Sequence, residues 1–130
     1  MMKIDHIALF CEDLEAMKQF FVDFFEAKPN ELYHNQKTGL QTYILSFPEG
    51  DTRLEIMHRP DAGKLIGDEY LHQGYIHTSF SVGSREQVDD LTAKLKQAGY
   101  QVHSGSRTTG DGYYESCVEG PERILIEITV

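Results

Sequence analysis

The chain has 130 residues, enough for one domain of ordinary size or for two small halves sharing a core. Its composition, 40% hydrophobic and 25% charged, is that of a soluble globular protein that folds without staples. Lys plus Arg number 12 and Asp plus Glu 21, and the formal net charge of −9 argues against nucleic acid or an anionic membrane as partner.

No run approaches the ~20 apolar residues of a membrane span. The opening Met1-Met2-Lys3-Ile4-Asp5-His6 puts an acid and a histidine where a signal peptide needs an apolar stretch. Cys11 and Cys117 make no disulfide framework. A reduced, cytoplasmic protein is the expectation.

In chain order, Ile4-Asp5-His6-Ile7-Ala8-Leu9 reads as a strand. A helix follows over about 14–27, with Leu14, Met17, Phe21, Phe24 and Phe25 spaced as one buried face. Asp13 can cap it and Pro29 helps to end it. A β-prone stretch around Tyr43 leads to Arg53-Leu54-Glu55-Ile56-Met57, an apolar strand with one central glutamate. Residues 60–73, with Gly63, Gly67 and several charges, read as a connector. A second half then begins on Tyr75-Ile76-His77-Thr78-Ser79-Phe80. Its helix covers about 85–98, with Val88, Leu91, Leu95 and Ala98 as the stripe, Ser84 and Gln87 as a capping box, and Gly99 at the end. The last strand is Leu125-Ile126-Glu127-Ile128-Thr129.

Strand, helix, several strands is thus the order twice over. His6 and His77 stand 71 residues apart, Glu55 and Glu127 stand 72 apart, and Tyr43 and Tyr114 stand 71 apart. Landmarks sharing one offset indicate duplication of a single unit, with module 1 over about 1–59 and module 2 over about 74–130.

Side chains alternate along a strand. His6 shares a face with Ile4 and Ala8, and Glu55 with Arg53 and Met57. Glu127 shares one with Leu125 and Thr129, opposite an unbroken face of Ile124, Ile126, Ile128 and Val130. A carboxylate in so apolar a strand either faces solvent or meets a cation. Two histidines and two glutamates at matched places would converge if the halves were related by a pseudo-twofold axis. That donor set suits Zn²⁺, Ni²⁺, Fe²⁺, Mn²⁺ or Co²⁺ and leaves open positions on an octahedral ion. His34, His58, His72 and His103 have no matched partner and read as surface or loop residues. Arg53, Arg59 and Arg107 are candidate anchors for an anionic substrate, and Tyr113 and Tyr114 for a cavity wall. Cys117 lies in a predicted strand and reads as buried and inert.

On Ile4-Asp5-His6-Ile7-Ala8-Leu9, Gly74-Tyr75-Ile76-His77-Thr78-Ser79-Phe80, Gly112-Tyr113-Tyr114-Glu115-Ser116 and Ile126-Glu127-Ile128, nearly the whole chain resembles the vicinal oxygen chelate superfamily. That group includes glyoxalase I, methylmalonyl-CoA epimerase, fosfomycin-resistance thiol transferases, extradiol dioxygenases and bleomycin-binding proteins. The resemblance implies an α+β fold in which two βαβββ modules form a curled mixed sheet around a divalent metal. The family's ligand positions fall on His6, Glu55, His77 and Glu127. The order His, Glu, His, Glu is similar to bacterial glyoxalase I, which implies a metal-dependent lyase or isomerase. Its metal chelates two neighbouring oxygens of a small substrate, and Glu55 or Glu127 serves as base. The alternatives on the same fold are an epimerase, a thiol transferase, or a non-catalytic binder of small molecules or antibiotics, for which the acidic charge suits a cationic ligand.

The chain departs from glyoxalase I at three places. Phe10 stands where an arginine tends to meet glutathione, and His58-Arg59 replace an asparagine. Both point away from glutathione as the thiol. Glu119-Gly120-Pro121-Glu122-Arg123 replaces an Asp-Pro-Asp-Gly-Asn turn but keeps its turn-forming Gly and Pro. Relatives of this length imply a homodimer in which His6 and Glu55 of one chain complete a site with His77 and Glu127 of the other.

Overall fold

The first half runs β1 (His6–Phe10), α1 (Leu14–Phe25), the short β2 (Lys28–Pro29) and β3 (Tyr33–His34), then β4 (Gln41–Ser46) and β5 (Arg53–His58). The second runs β6 (His77–Ser81), α2 (Arg85–Gln97), β7 (Val102–Thr108), β8 (Tyr114–Glu119) and β9 (Leu125–Thr129). This computed structural model describes residues 1–63, 73 and 75–130. The chain divides into two units, Met1–Ile66 and Gly67–Val130. Most of the expected connector over 60–73 lies outside the described residues, as do Gly67, His72 and Gly74. The fold class is α+β, with one α-helix and one mixed sheet among the described residues of each unit.

The strand order is β1-β5-β4-β2 in the first sheet, with β3 also on β4, and β6-β9-β8-β7 in the second. In both, the first and last strands of the unit are parallel neighbours, while the other pairs are antiparallel. Parallel neighbours need a long crossover, which each helix begins. This topology brings a residue near the start of each half beside one near its end.

Each helix covers one face of its own sheet. Met17, Phe21, Leu45 and Ile56 are sealed in the first unit, and Val88, Leu95, Val118, Ile126 and Ile128 in the second. Asp13 caps α1 by accepting from Ala16 N–H at 3.0 Å, and Ser84 caps α2 by accepting from Gln87 N–H at 3.1 Å. The buried face of α1 includes Phe20 where Phe24 is expected. Phe24 sits in the last turn and stays half-buried. Its ring, with those of Phe21 and Phe25, covers Phe20 at centroid distances of 5.2 to 5.7 Å. In α2, Leu91 is half-buried and Ala98 exposed, while Thr92 is buried. The Thr92 hydroxyl is accommodated because it donates to Val88 O at 2.6 Å and bonds Ser116 Oγ at 2.7 Å.

The helix ends differ. Gly99 takes φ +98° after α2, and Glu26 takes φ 56° after α1. Helix α1 is finished by Glu26, so Pro29 does not end it. Pro29 stands in β2 opposite Leu45, at a sheet edge where its missing N–H costs no ladder bond. The expected turn at 119–123 is present over Pro121–Arg123, closed by Ile124 N–H donating to Pro121 O at 3.3 Å, with Glu122 and Arg123 both in left-handed backbone at φ 54° and 64°.

Candidate metal centre

Register builds one histidine–glutamate pair in each unit. In the β1–β5 ladder His6 lies opposite Arg53 and Ala8 opposite Glu55. In the β6–β9 ladder His77 lies opposite Leu125 and Ser79 opposite Glu127. The imidazole and the carboxylate are thus one diagonal step apart on one face. That face is the one turned away from the helix, since Leu54, Ile56, Ile126 and Ile128 take the covered side. His6 Nε2 stands 3.9 Å from Glu55 Oε1, and His77 Nε2 stands 3.3 Å from Glu127 Oε1. Both glutamate side chains keep 22% of their exposure, enough to stay hydrated without a fixed cation.

The donor spacing of the second pair fits a common ion. Two ligands each about 2.1 Å from one metal, at tetrahedral or octahedral angles, lie roughly 3.0–3.4 Å apart. The second pair is within that range and the first is slightly wider. Among the described residues no three His, Cys, Asp or Glu side chains are placed to hold one ion, so the donors stand in twos.

The two pairs have different neighbours. Around His6, Asp5 Oδ2 meets Nδ1 at 2.8 Å, and Arg53 donates to the same carboxylate oxygen at 2.7 Å. These hydrogen bonds, His6 first and Arg53 second, hold the Asp5 carboxyl below its usual range. Around Glu127, Cys117 is directly opposite in β8, and Glu115 lies opposite Thr129 on the same face. Burial pushes the Glu115 carboxyl up, and its contact with Glu127 pushes it further, with Arg107 opposing. Burial also raises the Cys117 thiol, followed by the charges of Glu127 and Glu115. Sequence reading missed Asp5 beside His6 in the first unit and Glu115 beside Glu127 in the second. The alternation of Glu115, Cys117 and Glu119 was visible, but only the β8–β9 register sets them beside Glu127.

Other candidates fall elsewhere. Tyr114 donates from its hydroxyl to Asp89 Oδ1 on α2 at 2.6 Å, with Arg85 4.7 Å above its ring. It therefore belongs to the helix side and does not line the Glu127 face, while Tyr113 is exposed. Tyr43 does the same in its own unit, donating to Glu15 at 2.7 Å under Lys18. Their register differs by two residues, because Tyr43 faces Ile56 whereas the residue facing the matched Ile128 is Ser116. His34 and His103 are exposed strand residues, and His103 approaches Glu119 at 3.5 Å. His58 is neither surface nor loop: it ends β5, half-buried, with Nδ1 3.0 Å from Cys11 O. Arg59 is occupied by Asp61 at 2.6 Å, and Arg107 donates to Ser104 at 2.9 Å opposite Glu115. Cys11 is buried and Cys117 half-buried, and both are reduced thiols.

Residues 3–128 match the family model of the Glyoxalase/Bleomycin resistance protein/Dioxygenase superfamily. The chain belongs to this superfamily. The uncharacterized protein YqjT of Bacillus subtilis (strain 168) is 30% identical over 128 residues, spanning 95% of this chain and 94% of that protein. The glyoxylase/bleomycin resistance protein/dioxygenase domain from Frankia sp. EAN1pec superposes with a TM-score of 0.82 at 18% identity, covering 100% of this chain and 98% of that one. A glyoxalase family protein from Bacillus cereus gives 0.83 at 15% identity, with 99% and 93% covered. The fosfomycin resistance protein FosX from Listeria monocytogenes gives 0.72 at 18% identity, with 98% and 90% covered. At these identities the structures share a fold with this superfamily member, and the activities named for them remain theirs. No described helix is long and apolar enough to cross a membrane.

Proposed function

We propose that the protein is a metal-dependent, glyoxalase-type lyase or isomerase acting on a small substrate with two neighbouring oxygens. The observation that carries this reading is the duplicated pair, His6 with Glu55 and His77 with Glu127, each within 4 Å on the face turned from its helix. In this reading the two pairs come together, from two subunits of a homodimer, to hold one divalent ion of the Zn²⁺, Ni²⁺, Co²⁺, Mn²⁺ or Fe²⁺ type. Such an ion supplies Lewis acidity toward both substrate oxygens.

The chain's own residues handle the proton. His6 and His77 bind through neutral imidazoles. Glu55 or Glu127 takes a proton from the carbon beside the carbonyl and returns it to the neighbouring carbon, so hydrogen is moved and none is lost. The two candidates differ in surroundings, with Glu115 against Glu127 and with Glu55 between Ala8 and Ile44. The exposed Phe10 favours an apolar group over a carboxylate of glutathione in the substrate.

Protein purified without chelators is expected to hold a stoichiometric divalent ion, and His77→Ala to lose it. Turnover of hemithioacetals made from several thiols then separates a lyase from a protein that only sequesters its ligand. Absence of metal from wild type, or equal metal in the variant, overturns the site. Metal without turnover of any thiol adduct overturns the lyase.

A further inference from the structure

The two histidines occupy different surroundings although the halves repeat. Beside His6 stand Asp5 and, directly across the ladder, Arg53. The matched positions of the second half are Ile76 and Leu125, which carry no polar side chain. Asp5 Oδ2 is 2.8 Å from His6 Nδ1 and 2.7 Å from the Arg53 guanidinium. A carboxylate only accepts hydrogen bonds, so the imidazole nitrogen facing it carries the hydrogen. A neutral imidazole has one such hydrogen, which leaves the Nε2 lone pair bare. That bare nitrogen stands 3.9 Å from Glu55, beyond hydrogen-bond reach, so the carboxylate there does not compete for the proton.

We propose that Asp5, clamped by Arg53, is a positioning residue: it locks His6 in the Nδ1–H tautomer, with Nε2 presented as a ready donor on the Glu55 face. This rests on the reading of His6 as a metal ligand only for its consequence, not for the tautomer itself. His77 is set up the other way. With an apolar neighbour in place of Asp5 and Glu127 Oε1 at 3.3 Å from Nε2, it has a partner for an Nε2 hydrogen. The first pair is therefore preformed for a cation, whereas in the second the hydrogen must move from Nε2 to Nδ1 before Nε2 can bind one. A carboxylate behind a ligating imidazole fixes its tautomer and raises its basicity, and removing such a partner costs about 10–100-fold in metal affinity.

Two-bond ¹H–¹⁵N correlation spectra of the metal-free protein test this at about pH 9, where imidazoles are neutral. His6 is assigned by the signal lost in His6→Gln. Wild type is expected to show His6 with its hydrogen on Nδ1 and His77 with its hydrogen on Nε2. Asp5→Ala is expected to move His6 to the Nε2–H form that a free imidazole favours. Asp5→Asn, which keeps an acceptor oxygen, is expected to hold more of the Nδ1–H form than alanine does. Asp5 keeps 62% of its side-chain exposure, so neither variant disturbs a core. If Asp5 only tied β1 to β5, stability would fall and the tautomer would not move. His6 in the Nε2–H form in wild type, or unchanged in Asp5→Ala, overturns the proposal. Zn²⁺ competition titration supplies the second readout, with Asp5→Ala expected to bind about 10–100-fold more weakly. A wild type that binds no metal but shows the tautomer switch rejects the metalloenzyme and keeps the positioning role. Metal binding with no switch does the reverse.

Discussion

Single side chains in this molecule do their work through a partner that the sequence does not name. Thr92 and Ser116 illustrate it. Their hydroxyls meet at 2.7 Å under α2, and Ser116 is 1% exposed. Thr92→Val removes that partner without opening a hole and leaves a buried hydroxyl short of a bond. Urea unfolding should show a loss of about 1–3 kcal/mol. Ser116→Ala added to Thr92→Val should recover much of it, since removing both hydroxyls removes the mismatch. A double variant no more stable than the single would show that the pair is not coupled. Glu115 gives a pH-dependent case. Its folded value lies above the ordinary 4.5, so the folded state holds the proton more tightly than the unfolded one. The penalty is absent below the unfolded value and complete above the folded one. Glu115→Gln should therefore raise the melting temperature of the metal-free protein at about pH 8, by less than about 1 kcal/mol in stability, and leave it unchanged near pH 4. Equal gains at both pH values would show that ionisation of Glu115, opposed by burial first and by Glu127 second, is not the cause. His6, Glu55, His77 and Glu127 were legible as chemistry because residue type and a common offset suffice. Asp5 and Glu115 were not, nor was the pairing of Arg53 with Asp5 in place of a substrate anion, because these roles depend on which residues a ladder sets side by side.

Helices were legible at their starts and less so at their ends and faces. Asp13 and Ser84 cap as their side-chain chemistry requires. A hydrophobic stripe, by contrast, does not say which of Phe20 and Phe24 the sheet and the neighbouring rings will cover. The C-terminal turns show the two halves solving one problem unequally. Left-handed backbone suits Gly99, with φ +98°, and costs a side-chain-bearing Glu26, with φ 56°. Glu26 also places an acidic side chain at the negative end of the helix dipole. Glu26→Gly should stabilise the protein by about 1 kcal/mol, the relief of backbone strain and charge outweighing the entropy of the added glycine. Gly99→Ala should cost about 1 kcal/mol from strain alone, because a Cβ there meets nothing within 4 Å. Thermal unfolding of the two variants checks both signs, and a destabilised Glu26→Gly would mean that the Glu26 side chain contributes more than its backbone costs.

At the scale of the whole molecule, the duplicated order was legible because both halves repeat strand, helix and strands around the same landmarks. Assembly has to be argued from what one unit lacks. Among the described residues each sheet ends in a strand paired on one side within its own unit, β1 against β5 and β6 against β9. Such an edge presents a row of backbone donors and acceptors to a further partner. Along β1 it also leaves Ile7 and Phe10 exposed, at 42% and 53%. Each unit contributes two donors, half of what the proposed centre needs. Exchange of equivalent halves between identical chains is a low-cost route to a twofold dimer, and it would complete two centres at once. Inactive Glu55→Ala chains unfolded together with inactive Glu127→Ala chains and then reassembled decide whether this happens. If centres are shared, each mixed dimer has one centre built from the intact first half of one chain and the intact second half of the other. Its second centre lacks both glutamates. Random mixing makes half of the dimers mixed, so about a quarter of the wild-type centres should return, with activity in proportion. If every centre lies within one chain, each carries one lesion whatever its dimer partner, and activity stays absent. A sample shown by native mass spectrometry to contain mixed dimers, yet inactive, excludes the exchanged arrangement.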